Sequence, residues 1–181
     1  MNLYCNKLSV NINPLNSSFD YYSIKTYHSQ INMLNVNAEF INLLDNLGLK
    51  ITFVPVFYTR PYQITDIHSD GPQQGLDFVK LNFVYDEEDS VMVWYKSKIL
   101  KTSPNFTKIN TPYMRYSINE VSETHRQGLY GCSLVQVGTP HNVLVFSKPR
   151  YCISLTLRKK ENNSTLTMFE ALTIFKDYLV Y

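Results

Sequence analysis

A histidine and a carboxylate two positions apart, His68 and Asp70 in Ile64-Thr65-Asp66-Ile67-His68-Ser69-Asp70, are the residues of this chain whose types and spacing point most directly to chemistry. The segment reads as a strand, in which side chains at i and i+2 share a face, so the imidazole and the carboxylate converge on one point. A second imidazole would complete a two-histidine, one-carboxylate facial set, which leaves three positions of an iron(II) ion open for a co-substrate and dioxygen. His141 is the candidate for it. The competing reading of His-x-Asp is a solvated polar turn. His125, in the polar run Glu123-Thr124-His125-Arg126, reads as a substrate-side or surface residue, and His28 as a surface one.

The elements that must position these groups are mostly strands. Residues 1 to about 36 are rich in Asn, Ser and Tyr and read as loops with one edge strand near Leu8 to Ile12. Asn37 caps a helix over about 38–47, where Phe40, Leu43, Leu44 and Leu47 recur at helical spacing and Gly48 suits the C′ position. Strands are then expected at Leu49 to Thr59, Ile64 to His68, Phe78 to Tyr85, Val91 to Lys96, Cys132 to Val137, Asn142 to Phe146 and Tyr151 to Arg158. Turn residues separate them at Ser69 to Pro72 and at Asp86 to Asp89. Lys101 to Gln127 reads as the longest irregular stretch, of the kind that serves as a lid or binding loop. Leu166 to Val180 has the spacing of a second helix. The pattern predicts a mainly β domain over 1–181, a sandwich or jelly roll with its core at about 49–158, two helices covering one sheet and a site in the mouth between the sheets.

Two strands carry a polar face that suits such a mouth. Arg150, Cys152, Ser154, Thr156 and Arg158 alternate with Tyr151, Ile153, Leu155 and Leu157, and Lys80 and Asn82 alternate with Val79, Leu81, Phe83 and Tyr85. Both polar faces could equally meet water on an exposed sheet. Arg150 follows His141 across one turn at Ser147-Lys148-Pro149, so antiparallel strands would let both reach one cavity. A guanidinium there grips a carboxylate through two parallel hydrogen bonds. A dicarboxylate held by arginine at one end and iron at the other is the arrangement that 2-oxoglutarate takes.

The order His68-x-Asp70, His141, Arg150 resembles the iron(II)- and 2-oxoglutarate-dependent dioxygenases, whose fold is the double-stranded β-helix, a jelly-roll relative of the cupins. It is most similar to the prolyl-hydroxylase-like branch and its small bacterial and phage members, whose distal motif reads much like Thr139-Pro140-His141-Asn142-Val143 followed by Arg150-Tyr151-Cys152-Ile153-Ser154. The likeness runs from about Val54 to Arg158. Residues 97–130 resemble nothing in the family, and the substrate-recognition elements of protein prolyl hydroxylases are not evident. The resemblance implies that His68, Asp70 and His141 bind iron(II) and that Arg150 binds the distal carboxylate of 2-oxoglutarate, with Ser154 adding a hydroxyl. Tyr58 matches a position where the family often places a tyrosine hydroxyl on the co-substrate, and Asn82 would lie near the keto-acid end; for both, core packing or a turn role is the alternative. Lys80 would either share the carboxylate with Arg150 or pair with Asp77 at the rim, and Cys152 would form a small pocket wall. The implied reaction consumes O2 and 2-oxoglutarate, releases succinate and CO2, and hydroxylates a C–H bond of an amino-acid, peptide or protein side chain or of a small metabolite. Asp70 as a ligand speaks against halogenation, because halogenating relatives vacate that position.

Composition bounds the rest. With 181 residues and a net charge of +2, the chain offers no electrostatic case for nucleic acid or membrane as its partner. Three cysteines without Cys-x-x-Cys spacing indicate neither a disulfide framework nor a zinc site, and no apolar run reads as a secretion signal or a membrane span, so a reducing, cytoplasmic location is expected. The Asn-, Lys- and Tyr-rich composition hints at an AT-rich genome such as a phage's. Two other readings predict different behaviour. A non-catalytic jelly-roll binding or virion-associated module, using Trp94 and other aromatics for contacts, would tolerate alanine at His68 and His141; a cupin-type metalloenzyme without 2-oxoglutarate would need the histidines but not Arg150.

Overall fold

The computed structural model describes residues 2–25, 28–85, 89–107 and 110–180. Within them the strands are β1 (Cys5–Lys7), β2 (His28–Gln30), β3 (Leu49–Phe53), β4 (Pro55–Thr59), β5 (Ile67–Asp70), β6 (Val79–Tyr85), β7 (Ser90–Ser97), β8 (Asn105–Phe106), β9 (Pro112–Tyr116), β10 (Val121–Gly128), β11 (Gly131–Gln136), β12 (His141–Val145) and β13 (Arg150–Lys159). They form two antiparallel sheets, a larger one in the order β1-β11-β6-β13-β4-β2 with β3 also on β13, and a smaller one in the order β10-β7-β12-β5-β9-β8. This is a jelly roll: β4, β13, β6 and β11 face β5, β12, β7 and β10 across the interior.

Alternation decides which side chains fill which layer. On β6 and β13, Leu81, Phe83, Ile153, Leu155 and Leu157 point away from the smaller sheet and are buried under the helices α1 (Ala38–Asn46) and α2 (Met168–Ile174), against Phe40, Leu44, Ala171 and Phe175. The helices therefore cover one sheet from outside. Asn37 caps α1 by accepting from the Glu39 amide, and Gly48 just beyond it has φ +72°, a backbone state that glycine adopts without strain. Met92, Trp94, Val135 and Cys152 pack between the sheets and close one end of the interior. The other end stays open as a cavity.

Several expected elements differ. Leu49 to Thr59 is two strands broken at Val54, because Pro55 has no N–H to continue the ladder, while β13 pairs with both halves through a register shift between Thr156 and Leu157. The N-terminal edge strand is Cys5–Lys7 rather than Leu8 to Ile12. The second helix is short: the Leu166 carbonyl, before it, accepts from the Val79 N–H, and the Thr167–Glu170 capping box starts α2 at Met168. Lys101 to Gln127 is not an irregular loop but contributes β8, β9 and most of β10. β10 is an edge strand paired only with β7 and polar on both faces, so it lacks the alternation that marks a half-buried strand. Of the acidic turn at 86–89, Asp86, Glu87 and Glu88 lie outside the described residues. Among the described residues no helix is long and apolar enough to cross a membrane.

Candidate metal centre

On β5, Ile67 and Ser69 are buried on the outer face of the smaller sheet, Ile67 beside Val93 and Met114. That alternation turns His68 and Asp70 toward the larger sheet. β12 runs antiparallel to β5 with His141 directly opposite His68, and the two ring centroids are 4.5 Å apart. The loop leading to His141 is pinned: Gln136 Oε1 accepts from the Phe78 and Gly138 amides, and a Cβ at Gly138 would lie 1.7 Å from the Leu76 carbonyl oxygen, so only glycine fits there. The result is a cluster in which one ligand atom from each of His68, Asp70 and His141 lies within 4.8 Å of the others.

The donor set is already arranged for a cation. His68 Nδ1 lies 2.9 Å from the Asp66 carbonyl and His141 Nδ1 2.8 Å from that of Thr139. A carbonyl can only accept, so each ring carries a proton on Nδ1 and turns Nε2 toward the cluster. His68 Nε2 stands 3.6 Å from Asp70 Oδ1, while Asp70 Oδ2 accepts from Lys80 Nζ at 2.6 Å. Burial, together with neighbouring His68, pushes His141 down to about 3, so it is neutral near pH 7. Burial alone would raise the Asp70 pKa; the Lys80 ammonium, with His68 and His141, outweighs it and holds the carboxyl well below the usual carboxylate range. Two imidazoles and one ionised carboxylate, with nitrogen and oxygen donors, fit a first-row divalent metal.

Facing this cluster, β6 and β13 supply the rest of a cavity of about 210 Å³, lined among others by Lys80, Asn82, Arg150, Cys152 and Ser154. That is below the roughly 300–1,000 Å³ usual for ligand pockets, a size for a small molecule rather than a large one. Arg150 is buried, makes no ion pair among the described residues, and its Nε has no hydrogen-bond partner; Asn82 Oδ1 is likewise buried and unpartnered. Buried polar atoms normally have partners, so both mark a place for a bound group.

The structure thus brings His68, Asp70, His141, Arg150, Ser154, Asn82 and Lys80 to one cavity, but not Tyr58. β4 pairs with β13 so that Thr59 faces Arg150 and Tyr58 faces Tyr151, which sends Phe57 and Thr59 inward and Tyr58 outward. Tyr58 packs against Tyr151 with ring centroids 5.1 Å apart. Lys80 does not pair with Asp77, which accepts instead from Gln136 Nε2 and the Met168 amide. Sequence reasoning missed Thr59 and the Lys80–Asp70 pair. The first is an error of one residue in strand phase, and the second joins two sheets, which local spacing cannot reveal. His125 lies away from the cavity, stacked on Tyr4 at 5.1 Å.

No protein-family model and no curated protein matches the chain. Among solved structures it is similar to a prolyl-4-hydroxylase of Pseudomonas putida, with 14% identity, 73% of this chain and 71% of that one covered, and a TM-score of 0.42. It is also similar to ycfD of E. coli, with 10% identity, 77% and 32% covered, and a TM-score of 0.39. A third likeness is to an oxalate decarboxylase from Bacillus subtilis, with 9% identity, 66% and 24% covered, and a TM-score of 0.32. The chain spans about a third of the length of ycfD.

Proposed function

We propose that this chain is an iron(II)- and 2-oxoglutarate-dependent dioxygenase that hydroxylates a C–H bond of an amino-acid, peptide or protein side chain or of a small metabolite. The observation that carries the reading is the buried Arg150, whose Nε has no hydrogen-bond partner, in the same small cavity as the His68, Asp70 and His141 cluster. A metal alone needs no such group, whereas a dianion spanning metal and arginine does.

In this reading His68 and His141 offer Nε2 and Asp70 offers Oδ1, held there by the Asp66 and Thr139 carbonyls and by Lys80. Iron(II) bound there, with 2-oxoglutarate and O2, supplies oxidative decarboxylation to succinate and CO2 and the oxidising power for C–H hydroxylation. Arg150 takes the far carboxylate through paired hydrogen bonds, Ser154 adds its hydroxyl, and the Asn82 amide can turn either end toward the ligand. The apolar packing of Met92, Val143 and Phe57 around these groups keeps water low. The cavity is filled by a co-substrate of this size, so the prime substrate presents its reacting group from the mouth, at Asp66, His68 and Tyr113. We place the protein in the cytoplasm as one catalytic domain, a location supported by three buried cysteines that form no disulfide.

The test is iron(II)-dependent conversion of 2-oxoglutarate to succinate without prime substrate, on wild type, His141→Ala and Arg150→Ala after anaerobic metal loading, with metal and 2-oxoglutarate binding titrated in the same samples. Slow succinate formation lost in both variants is the expected result. Turnover surviving Arg150→Ala would make this a metalloenzyme of another kind, and failure to bind either iron or 2-oxoglutarate would leave a non-catalytic module.

A further inference from the structure

We propose that Lys80 weakens the site's hold on a divalent metal by fixing a positive charge on Asp70 Oδ2, which leaves Asp70 one ligating oxygen. This rests on the metal-site reading of the cluster, not on the identity of the co-substrate. Lys80 reaches from β6 in the larger sheet to β5 in the smaller one, and its Nζ meets Oδ2 at 2.6 Å with both side chains largely enclosed. Asp77, the other acid near in sequence, is occupied by Gln136 and the Met168 amide. Asp70 Oδ1 faces His68 Nε2 at 3.6 Å. The two oxygens of one carboxylate thus have separate tasks.

Two effects of this ion pair oppose each other. By holding the carboxylate still, Lys80 presents Oδ1 to the ion, an advantage on the scale of one net hydrogen bond. By placing an ammonium a few ångströms from a dication in a poorly hydrated cavity, it repels that ion. At such range the Coulomb energy exceeds the net worth of a hydrogen bond, so repulsion wins. Arg150 adds a second cation to the same space; the lining's other acid, Asp66, is exposed and paired with Arg115, so the enclosed charges facing the ion are one negative and two positive. The metal alone is held loosely, and a dianion in the cavity supplies the attraction that retains it.

The experiment is a Co(II) titration of the full chain, followed by visible absorption, on wild type, Lys80→Met and Lys80→Gln, with circular dichroism melts showing each metal-free protein folded at the titration temperature. Methionine removes both charge and donor, whereas glutamine removes the charge and keeps a donor for Oδ2. Both variants are expected to bind Co(II) at least about tenfold more tightly than wild type. A gain of affinity is something a merely structural lysine would not produce. Equal affinities, or weaker binding by Lys80→Met that Lys80→Gln restores, would overturn the proposal. If none of the three proteins binds Co(II), the metal reading falls and takes this inference with it. If the variants bind more tightly but 2-oxoglutarate is neither bound nor turned over, the co-substrate reading fails and this one stands.

Discussion

On the smaller-sheet wall of the cavity, the three cluster residues have their other polar atoms on protein partners: His68 Nδ1 on Asp66, His141 Nδ1 on Thr139 and Asp70 Oδ2 on Lys80. On the larger-sheet wall, Arg150 Nε and Asn82 Oδ1 have none. The first wall has its partners within the protein; the second leaves one donor and one acceptor open, and in the proposed reading a bound dicarboxylate takes the donor, Arg150 Nε. That difference separates what each wall does for the fold from what it does for binding, and it can be broken by mutation.

The largest effect is expected on the prearranged wall. His141→Ala should lower Co(II) affinity at least about 100-fold, beyond the 10–100-fold typical of losing a supporting partner, while Arg150→Met should not weaken it. Equal losses in a titration would mean that the walls are not distinct. The next effect has the opposite sign. Replacing buried Arg150, whose Nε has no partner, with methionine should raise the stability of the ligand-free protein by about 1–3 kcal/mol, because it removes a buried charge that makes no ion pair among the described residues. Urea denaturation measures this, and a loss of stability would show that the guanidinium supports the fold. The same variant should bind 2-oxoglutarate at least about tenfold more weakly.

Much of this arrangement was legible in the sequence, for identifiable reasons. The alternation in Arg150–Lys159 and Val79–Tyr85 grouped the polar residues of β13 and β6 on one face each, though only the helices packed on the apolar faces show that they turn inward, and Asn37 and Gly48 marked the ends of α1. His68 and Asp70 shared a face because two residues apart on a strand always do. What was not legible depends on pairing rather than on spacing. Val121–Gly128 is a strand because β7 offers it a ladder, although its side chains are mostly exposed. Tyr58 and Thr59 exchanged roles because the β4–β13 register sets the phase, and neither residue type announces it.

Tyr58 sharpens the contrast from outside the cavity. Since it packs on Tyr151 and not on the co-substrate wall, Tyr58→Phe should leave 2-oxoglutarate affinity unchanged within about twofold and stability within about 0.5 kcal/mol. A tenfold loss of affinity would bring its hydroxyl back to the ligand.

The smallest effect concerns a charge that belongs to neither wall. If the cavity charges serve ligands, part of the fold's acid sensitivity must come from carboxylates with fixed partners elsewhere, and Glu170 at the start of α2 is one. The Lys159 ammonium at 2.7 Å, then the Thr167 amide and hydroxyl, hold its carboxyl down to about 2, against an ordinary value of 4.5. A carboxyl lowered in the folded state contributes stability that is fully present above the unfolded value, and loses it as pH falls from about 4.5 toward 2. Solvent screens this pair, since 36% of the Glu170 side chain is exposed, which keeps its contribution to about half a kcal/mol. Glu170→Gln should therefore be slightly less stable than wild type at pH 7 and indistinguishable from it near pH 2.5, in urea titrations at matched ionic strength. A difference that persists undiminished at pH 2.5 would assign the effect to the capping hydrogen bonds rather than to charge, and would return the acid sensitivity to the cavity.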